Sequence, residues 1–338
     1  MMKSLFTHPF TKFVLKKVVF YLIVAFVALT FVFLIPRFMP SNPVEIMLAR
    51  SSPSNTGVNM TALREAMYTY FGMNKPLFDQ YISFWGQLFT GNLGRSFRYF
   101  PAPVMKMVLE KLPFTLALVI PVLVISFFLG NWIGAKAAYV GGKWSELVYF
   151  FSVFSNRLPS FWFGMVLLFL LAVKVKLFPT FGAYSFGTIP SWSFSFFIDL
   201  LHHYLLPFFT LLFIYLGGWA TGMRSMVIHE MDSGYVRYSE QLGFRKKKLM
   251  SYAQRNAMLP QFTGVNLLFN ALIGETLIIE VIFGWPGIGR LMYEAVTSVD
   301  YPLIFGGFLI TMCVVVLGNF LIDILYGFID PRIRTGRG

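Results

Sequence analysis

Glu275 and Glu280 stand five residues apart in the run FNALIGETLIIEVIF, where nearly every neighbour is apolar. Asn266 and Asn270 precede them, four apart and therefore on one face of a helix. Arg157 and Asp323 lie at the edges of similar runs. An ionisable group in such a setting has three outlets: it meets a ligand, it pairs with another side chain, or it carries a proton. For Glu275 the first outlet means contact with a cationic group on a solute, and the others mean a protonated or paired acid. Asn266 and Asn270 can line a polar path or bond across helices. Bond-breaking chemistry would need paired acids, a nucleophile beside its base, or a metal cluster, and none is evident here. His202-His203 and His229-Glu230 lack a third convergent ligand and are read as interfacial. The lone cysteine, Cys313, can form neither a disulfide within the chain nor a Cys-based zinc site. A phosphate loop needs G-x-x-x-x-G-K-[ST], which Gly141-Gly142-Lys143-Trp144 does not supply. We therefore expect no catalytic residue, no metal and no cofactor in this chain.

The elements that position these groups follow from composition. Of the 338 residues 57% are hydrophobic and 13% charged, against about 25% charged in a soluble domain. A bilayer core of about 30 Å needs roughly 20 apolar residues as a helix. Windows at residues 13–38, 114–138, 147–175, 203–228, 258–282 and 303–328 qualify, which predicts an all-α membrane protein of about six spans. The first window is too long for a signal-peptide core and has no cleavage site after it. Prolines 121, 159 and 207 fall in or near spans, where neighbouring helices re-satisfy freed carbonyls. The predicted organisation is 1–38 (N-terminus and first span), 39–112 (an external segment) and 113–338 (a core of five spans).

The net charge of +13 is explained by where the charges fall. Six spans place both termini on one side. That side carries Lys3, Lys12, Lys16 and Lys17, then Lys136 and Lys143. It also carries Arg224, Arg237, Arg245, Lys246, Lys247, Lys248 and Arg255, then Arg332, Arg334 and Arg337, sixteen in all. The short loops opposite carry three: Lys174, Lys176 and Arg290. Cytoplasmic loops hold the excess of Lys and Arg, so both termini are expected in the cytoplasm and nucleic acid is not needed as a partner. The loop at 229–259 is longer than a connector requires. It reads as a docking surface.

The stretch YVRYSEQLGFRKKKLMSYAQRNAMLP resembles the cytoplasmic loop of ABC-importer permeases, in particular the dipeptide/oligopeptide/nickel branch. The resemblance rests on Gly243 and on Arg255-Asn256-Ala257-Met258-Leu259-Pro260. It extends to MPSNPVEIML, to FGMNKPLFDQYISFWGQLFTGNLGRSF at 71–97, and to KLPFTLALV, RLPSFWFGM and LFPTFGAY. It continues through EVIFGWPGIGRLMYEAVTSVDYPLIFG at 280–306 and NFLIDILYGFIDPRIR at 319–334. Tyr238-Ser239-Glu240-Gln241, Ser251-Tyr252 and Ser41-Asn42 depart from the family pattern, as does Glu275, where the family carries a small or neutral residue.

The resemblance implies a type I importer permease fold in a prokaryotic cytoplasmic membrane, with an extra extracytoplasmic segment after the first helix. It implies a second homologous permease, two cytoplasmic ATPase subunits that bind ATP and Mg, an extracytoplasmic solute-binding protein and surrounding lipid as partners. On that template Tyr235, Arg237, Glu240, Leu242, Gly243, Phe244, Arg245, Arg255, Asn256 and Pro260 belong to the ATPase-coupling loop. Met250 is read as a further apolar anchor for a partner's groove, and Pro260 as the first turn of span five. Glu275, Asn266, Asn270, Glu280 and Arg157 are candidates for the translocation pathway. Arg64, Asp79 and Arg95 are candidates for docking the binding protein. Di- or oligopeptide is the leading cargo, with oligosaccharide or nickel as alternatives. An ion-coupled transporter or a channel is the remote reading.

Overall fold

The computed structural model describes residues 9–34, 60–70 and 74–329, together with positions 38, 45, 48 and 72. The end of the first predicted span, most of MPSNPVEIML and the residues from 330 onward lie outside the described residues. In chain order the helices are α1 (Pro9–Leu34), α2 (Met60–Tyr70), α3 (Leu77–Phe89), α4 (Val104–Val140), α5 (Gly142–Arg157) and α6 (Ser160–Leu167), which loosens to π-helix over Leu168–Lys174. They continue as α7 (Phe194–Met231), α8 (Gly234–Gln241), α9 (Lys246–Ile282), α10 (Ile288–Thr297) and α11 (Tyr301–Ile329). Among the described residues there is no strand, only one isolated bridge between Arg95 and Pro103.

Among the described residues, five helices are long and apolar enough to cross a bilayer: α1, α4, α7, α9 and α11. The expected span at 147–175 is the exception. It is a broken pair, α5 and α6, bent by 101°. The cause is local. Pro159 forces the residue before it out of the helical region, and Leu158 sits at φ −75, ψ 132.

The expectation for Pro260 is corrected as well. Instead of opening a span, it lies inside α9, which runs unbroken from Lys246 to Ile282. Met250, Ala253 and Ala257 recur at helical spacing and pack with Ala135 of α4 and with Met223 and Val227 of α7. This packing sets the helical register well before the apolar span begins. It also removes Met250 from the set of partner-facing anchors, because Met250 is buried in its own chain.

The chain divides into two compact units, Lys17–Pro113 with Gly287–Val316, and Phe114–Pro286 with the two chain ends. The core of the first unit gathers Leu29 and Phe33 of α1, Phe84 of α3, Val104 and Val108 of α4, Leu291 and Met292 of α10, and Leu303 of α11. A Cβ on Gly306 would strike the Val104 side chain, so α11 and α4 approach to backbone distance there. Asp300 organises the corner before α11. It is fully buried, and its carboxylate accepts hydrogen bonds from the Ser96 hydroxyl, from the Arg98 amide at 3.0 Å and from the Leu303 amide at 3.2 Å. It thus caps α11 and clamps the segment 96–98 in one move.

The residue before it, Val299, has φ 56. Its amide bonds Val296 O at 3.1 Å, and the Asp300 amide bonds Ala295 O at 2.9 Å. This is a Schellman turn with a β-branched residue where glycine normally sits. Val299→Gly is expected to raise the melting temperature by removing about 1 kcal/mol of left-handed strain. A lowered melting temperature would show that the valine side chain contributes more packing than the strain costs.

In the second unit small residues let helices touch. The buried face of α5 is Ser145, Ser152 and Ser155. A Cβ on Gly217 of α7 would collide with the Ser155 hydroxyl and come within 2.5 Å of Ser152 O. A Cβ on Gly318 of α11 would collide with the Phe269 ring of α9. Close backbone approach of this kind drives helix association where lipid supplies no hydrophobic contrast.

Candidate functional site

The coupling-loop candidates occupy the end of α7, all of α8 and the first turns of α9. Ser233 turns the chain out of α7, its hydroxyl bonding Glu230 O at 2.6 Å. Only Val236 of α8 is buried. Tyr235 donates its hydroxyl to Glu230 Oε2 at 2.6 Å, which ties α8 to the end of α7. Burial and that bond to a carboxylate push the Tyr235 hydroxyl above its ordinary value, so it remains a donor at neutral pH. Arg237 pairs with Asp232 at 3.6 Å with both side chains mostly exposed, a contact worth well under about 1 kcal/mol. Glu240, Arg245, Arg255 and Asn256 are exposed.

Gly243 ends α8 at φ 82. Its amide bonds Glu240 O at 2.9 Å and the Phe244 amide bonds Ser239 O at 3.2 Å, the two bonds of a Schellman turn. A Cβ placed on Gly243 would meet nothing within 4 Å, so backbone conformation alone demands the glycine. The turn leaves large apolar side chains in solvent. Tyr238 is 63% exposed, Leu242 59% and Phe244 45%. Large apolar groups gathered on an otherwise polar helix and turn form an exposed patch of the kind that interaction surfaces carry.

Above this loop, a hollow of about 270 Å³ opens between the end of α7 and α9. It is lined by Ser225, Met226, His229, Glu230, Ala257 and Pro260. Higher in α9 the polar candidates separate. Asn266 donates to Asp323 of α11 at 2.7 Å, and Asn270 accepts from Asn319 of α11 at 2.9 Å. Both therefore take the interhelical option. Glu280 is fully buried and accepts from Thr115 of α4 at 2.6 Å. Glu275 differs. Its Oε2 is buried without a hydrogen-bond partner, and it interacts with the Tyr215 hydroxyl of α7, which is in the same condition. Arg157 is exposed at the end of α5, next to the bend.

In the first unit, Arg64 pairs with Glu45 at 2.8 Å, Arg95 donates to Pro101 O at 2.6 Å, and Asp79 lies exposed in the first turn of α3. Among the described residues no group of three His, Cys, Asp or Glu gathers to hold a metal. His202 contacts Leu177 O, and His203 contacts Asp199.

This arrangement of apolar spanning helices, with a helical loop that presents a hydrophobic surface at one end, matches one family model over residues 126–335, the binding-protein-dependent transport system inner membrane component. The chain belongs to that family. Similar proteins extend the match across the chain. The oligopeptide transport system permease protein AppB of Bacillus subtilis is 31% identical over 306 residues, covering 89% of this chain and 92% of its own. The di/tripeptide transport system permease protein DppB of Pseudomonas aeruginosa is 31% identical over 90% of this chain and 93% of its own. The dipeptide transport system permease protein DppB of Lactococcus lactis is 28% identical over 96% of this chain and 99% of its own. This inner membrane component is thus a multi-pass helical permease, and its relatives are permease subunits of transport systems.

Three features of this inner membrane component escaped the sequence reading: the Asp300 clamp, the Tyr215–Glu275 neighbourhood and the Tyr235–Glu230 tie. An Asp followed by Tyr-Pro is a helix-start signal and marks Asp300. No local signal marks the other two, which join residues across or between helices.

Proposed function

We propose that the chain is one of two permease subunits of an ATP-driven importer, most plausibly of di- or oligopeptides, that receives its cargo from an extracytoplasmic binding protein. The observation that carries the reading is the loop of α8 and Gly243. It exposes Tyr238, Leu242 and Phe244 on a rigid turn, and the helix that follows runs straight into a span. An ATPase seated there would be joined to the pathway without an intervening flexible linker. Peptide as cargo is supported by the names of the relatives. The count of sixteen basic residues against three supports the reading with both termini and this loop in the cytoplasm.

In this reading Glu275 faces the pathway and takes a cationic group of the cargo, with Tyr215 beside it. Glu280, Asn266 and Asn270 hold helices together. Arg64, Asp79 and Arg95 lie on the side where the binding protein docks. Oligosaccharide or nickel would use the same machinery.

The test is co-purification followed by uptake in proteoliposomes. Two ATPase subunits should accompany each permease pair, and peptide uptake should require both ATP and the binding protein. Glu275→Gln should raise the peptide concentration for half-maximal uptake by about tenfold, the worth of one charge-assisted bond. Uptake without any ATPase would favour a channel or an ion-coupled carrier. An unchanged half-maximal concentration would remove Glu275 from cargo contact.

A further inference from the structure

The lysines that follow Arg245 are not needed for the docking surface, and the structure offers them another use. On α4, Ile125, Phe128, Trp132, Lys136 and Tyr139 are all exposed and spaced three and four apart, so they form one stripe. The stripe is apolar up to Trp132 and cationic beyond it. Lys136 folds back with its ammonium 4.9 Å from the centre of the Trp132 ring. The Lys246 ammonium arrives from α9 and lies 5.5 Å from the centre of the Tyr139 ring. Two ammonium groups, each against an amphipathic ring and brought from different parts of the chain, therefore border the last turns of α4 where its apolar face ends. Neither lysine has a carboxylate within 4.0 Å among the described residues, and Lys143, Lys247 and Lys248 are exposed nearby in sequence.

We propose that this stripe is a seat for one anionic phospholipid, with its acyl chains along Ile125 and Phe128 and its headgroup along the Trp132–Tyr139 turns, within the field of Lys136 and Lys246. Rings of this kind settle at the headgroup level of a bilayer, and basic groups between helix ends hold acidic headgroups there. The continuity of the apolar and cationic parts distinguishes a lipid from other occupants. A free phosphate would need only the ammonium groups, and an acidic protein surface would have no use for the membrane-facing apolar turns. The seat pins the start of α9 to the end of α4, so the lipid would hold the base of the coupling loop against the membrane. The assignment to the cytoplasmic leaflet rests on the orientation proposed above, while the seat itself rests only on α4 crossing the bilayer.

The full chain, purified alone in detergent, would be titrated with phosphatidylglycerol and with phosphatidylcholine while its melting temperature is followed. Phosphatidylglycerol should stabilise it, and Lys136→Gln with Lys246→Gln should weaken that response by at least about tenfold, since each lysine near a headgroup is worth roughly fivefold. Lys75→Gln with Lys106→Gln removes the same charge elsewhere and should leave the response intact. Equal losses in both double variants would reduce the effect to net charge and overturn the proposal. An equal response to inorganic phosphate or glycerophosphate would overturn the lipid assignment. A Lys136→Gln, Lys246→Gln double variant that keeps the full lipid response would also overturn it. The titration contains neither ATPase nor binding protein, so its outcome is independent of the importer reading.

Discussion

Gly243→Pro is expected to leave the permease inserted in the membrane and to abolish ATPase docking and uptake. Proline fixes φ near −65°, whereas this position stands at 82. It also deletes the amide that bonds Glu240 O at 2.9 Å. Together these forfeit about 3 kcal/mol of the turn, roughly a hundredfold in the population of the docking-competent loop. Gly243→Ala separates backbone from packing. The site has open space for a methyl group, so alanine meets only left-handed strain of about 1 kcal/mol and should keep a substantial part of the activity. Retention of the ATPase on affinity purification, ATP-driven uptake and monodisperse elution of the membrane protein give the three readouts. A proline variant that binds its ATPases and transports normally would sink the coupling-loop assignment. Equal damage from alanine and proline would mean that an unseen partner fills the space beside the glycine.

Asp300→Ala should be the most damaging single substitution in the first unit. It strands the Ser96 hydroxyl and the Leu303 amide in a buried site and leaves the part-buried Arg98 amide without its partner. Each unsatisfied buried group costs about 1–3 kcal/mol, so a loss of about 3 kcal/mol or more is expected. Asp300→Asn keeps one acceptor, enough for Ser96 and Arg98 or for Leu303 but not for both, and turns an NH2 donor toward the remaining donor, so it should also lose stability, though less than alanine. The functional consequence is local. Segment 96–98 loses its clamp, so stimulation by the binding protein should fall while ATPase retention through the α8 loop persists. Thermal unfolding of both variants, with ATPase co-purification as the second readout, checks this. An alanine variant as stable as the parent would show that the three donors find other partners.

The spans were legible because apolar windows of about 20 residues have few alternatives. Gly243 was legible because one residue type dominates left-handed helix ends. The bend at Leu158–Pro159 was only half visible. Proline announces a restricted neighbour but does not say whether neighbouring helices will absorb a kink, and here the small face of Ser152 and Ser155 lets α5 pack separately on α7. Pro260 misled for the opposite reason. Proline suits a first turn, yet the packing of Met250, Ala253 and Ala257 extends the helix through it, and burial outweighs one lost hydrogen bond. The pathway candidates sorted themselves only in three dimensions. Sequence gives a polar group its depth, but partners such as Asp323 for Asn266 and Thr115 for Glu280 come from distant segments.

The uninterrupted course of α9 has a mechanical meaning. At 1.5 Å per residue, Lys246 lies about 21 Å below Pro260 and Glu275 about 22 Å above it. A rod pivoting at its proline would be a lever with nearly equal arms. Any sideways displacement imposed at the loop would then reappear at Glu275 with the same amplitude and the opposite sign. Pro260 also removes one backbone hydrogen bond, so any bending of α9 at that point would reduce the stroke that reaches Glu275.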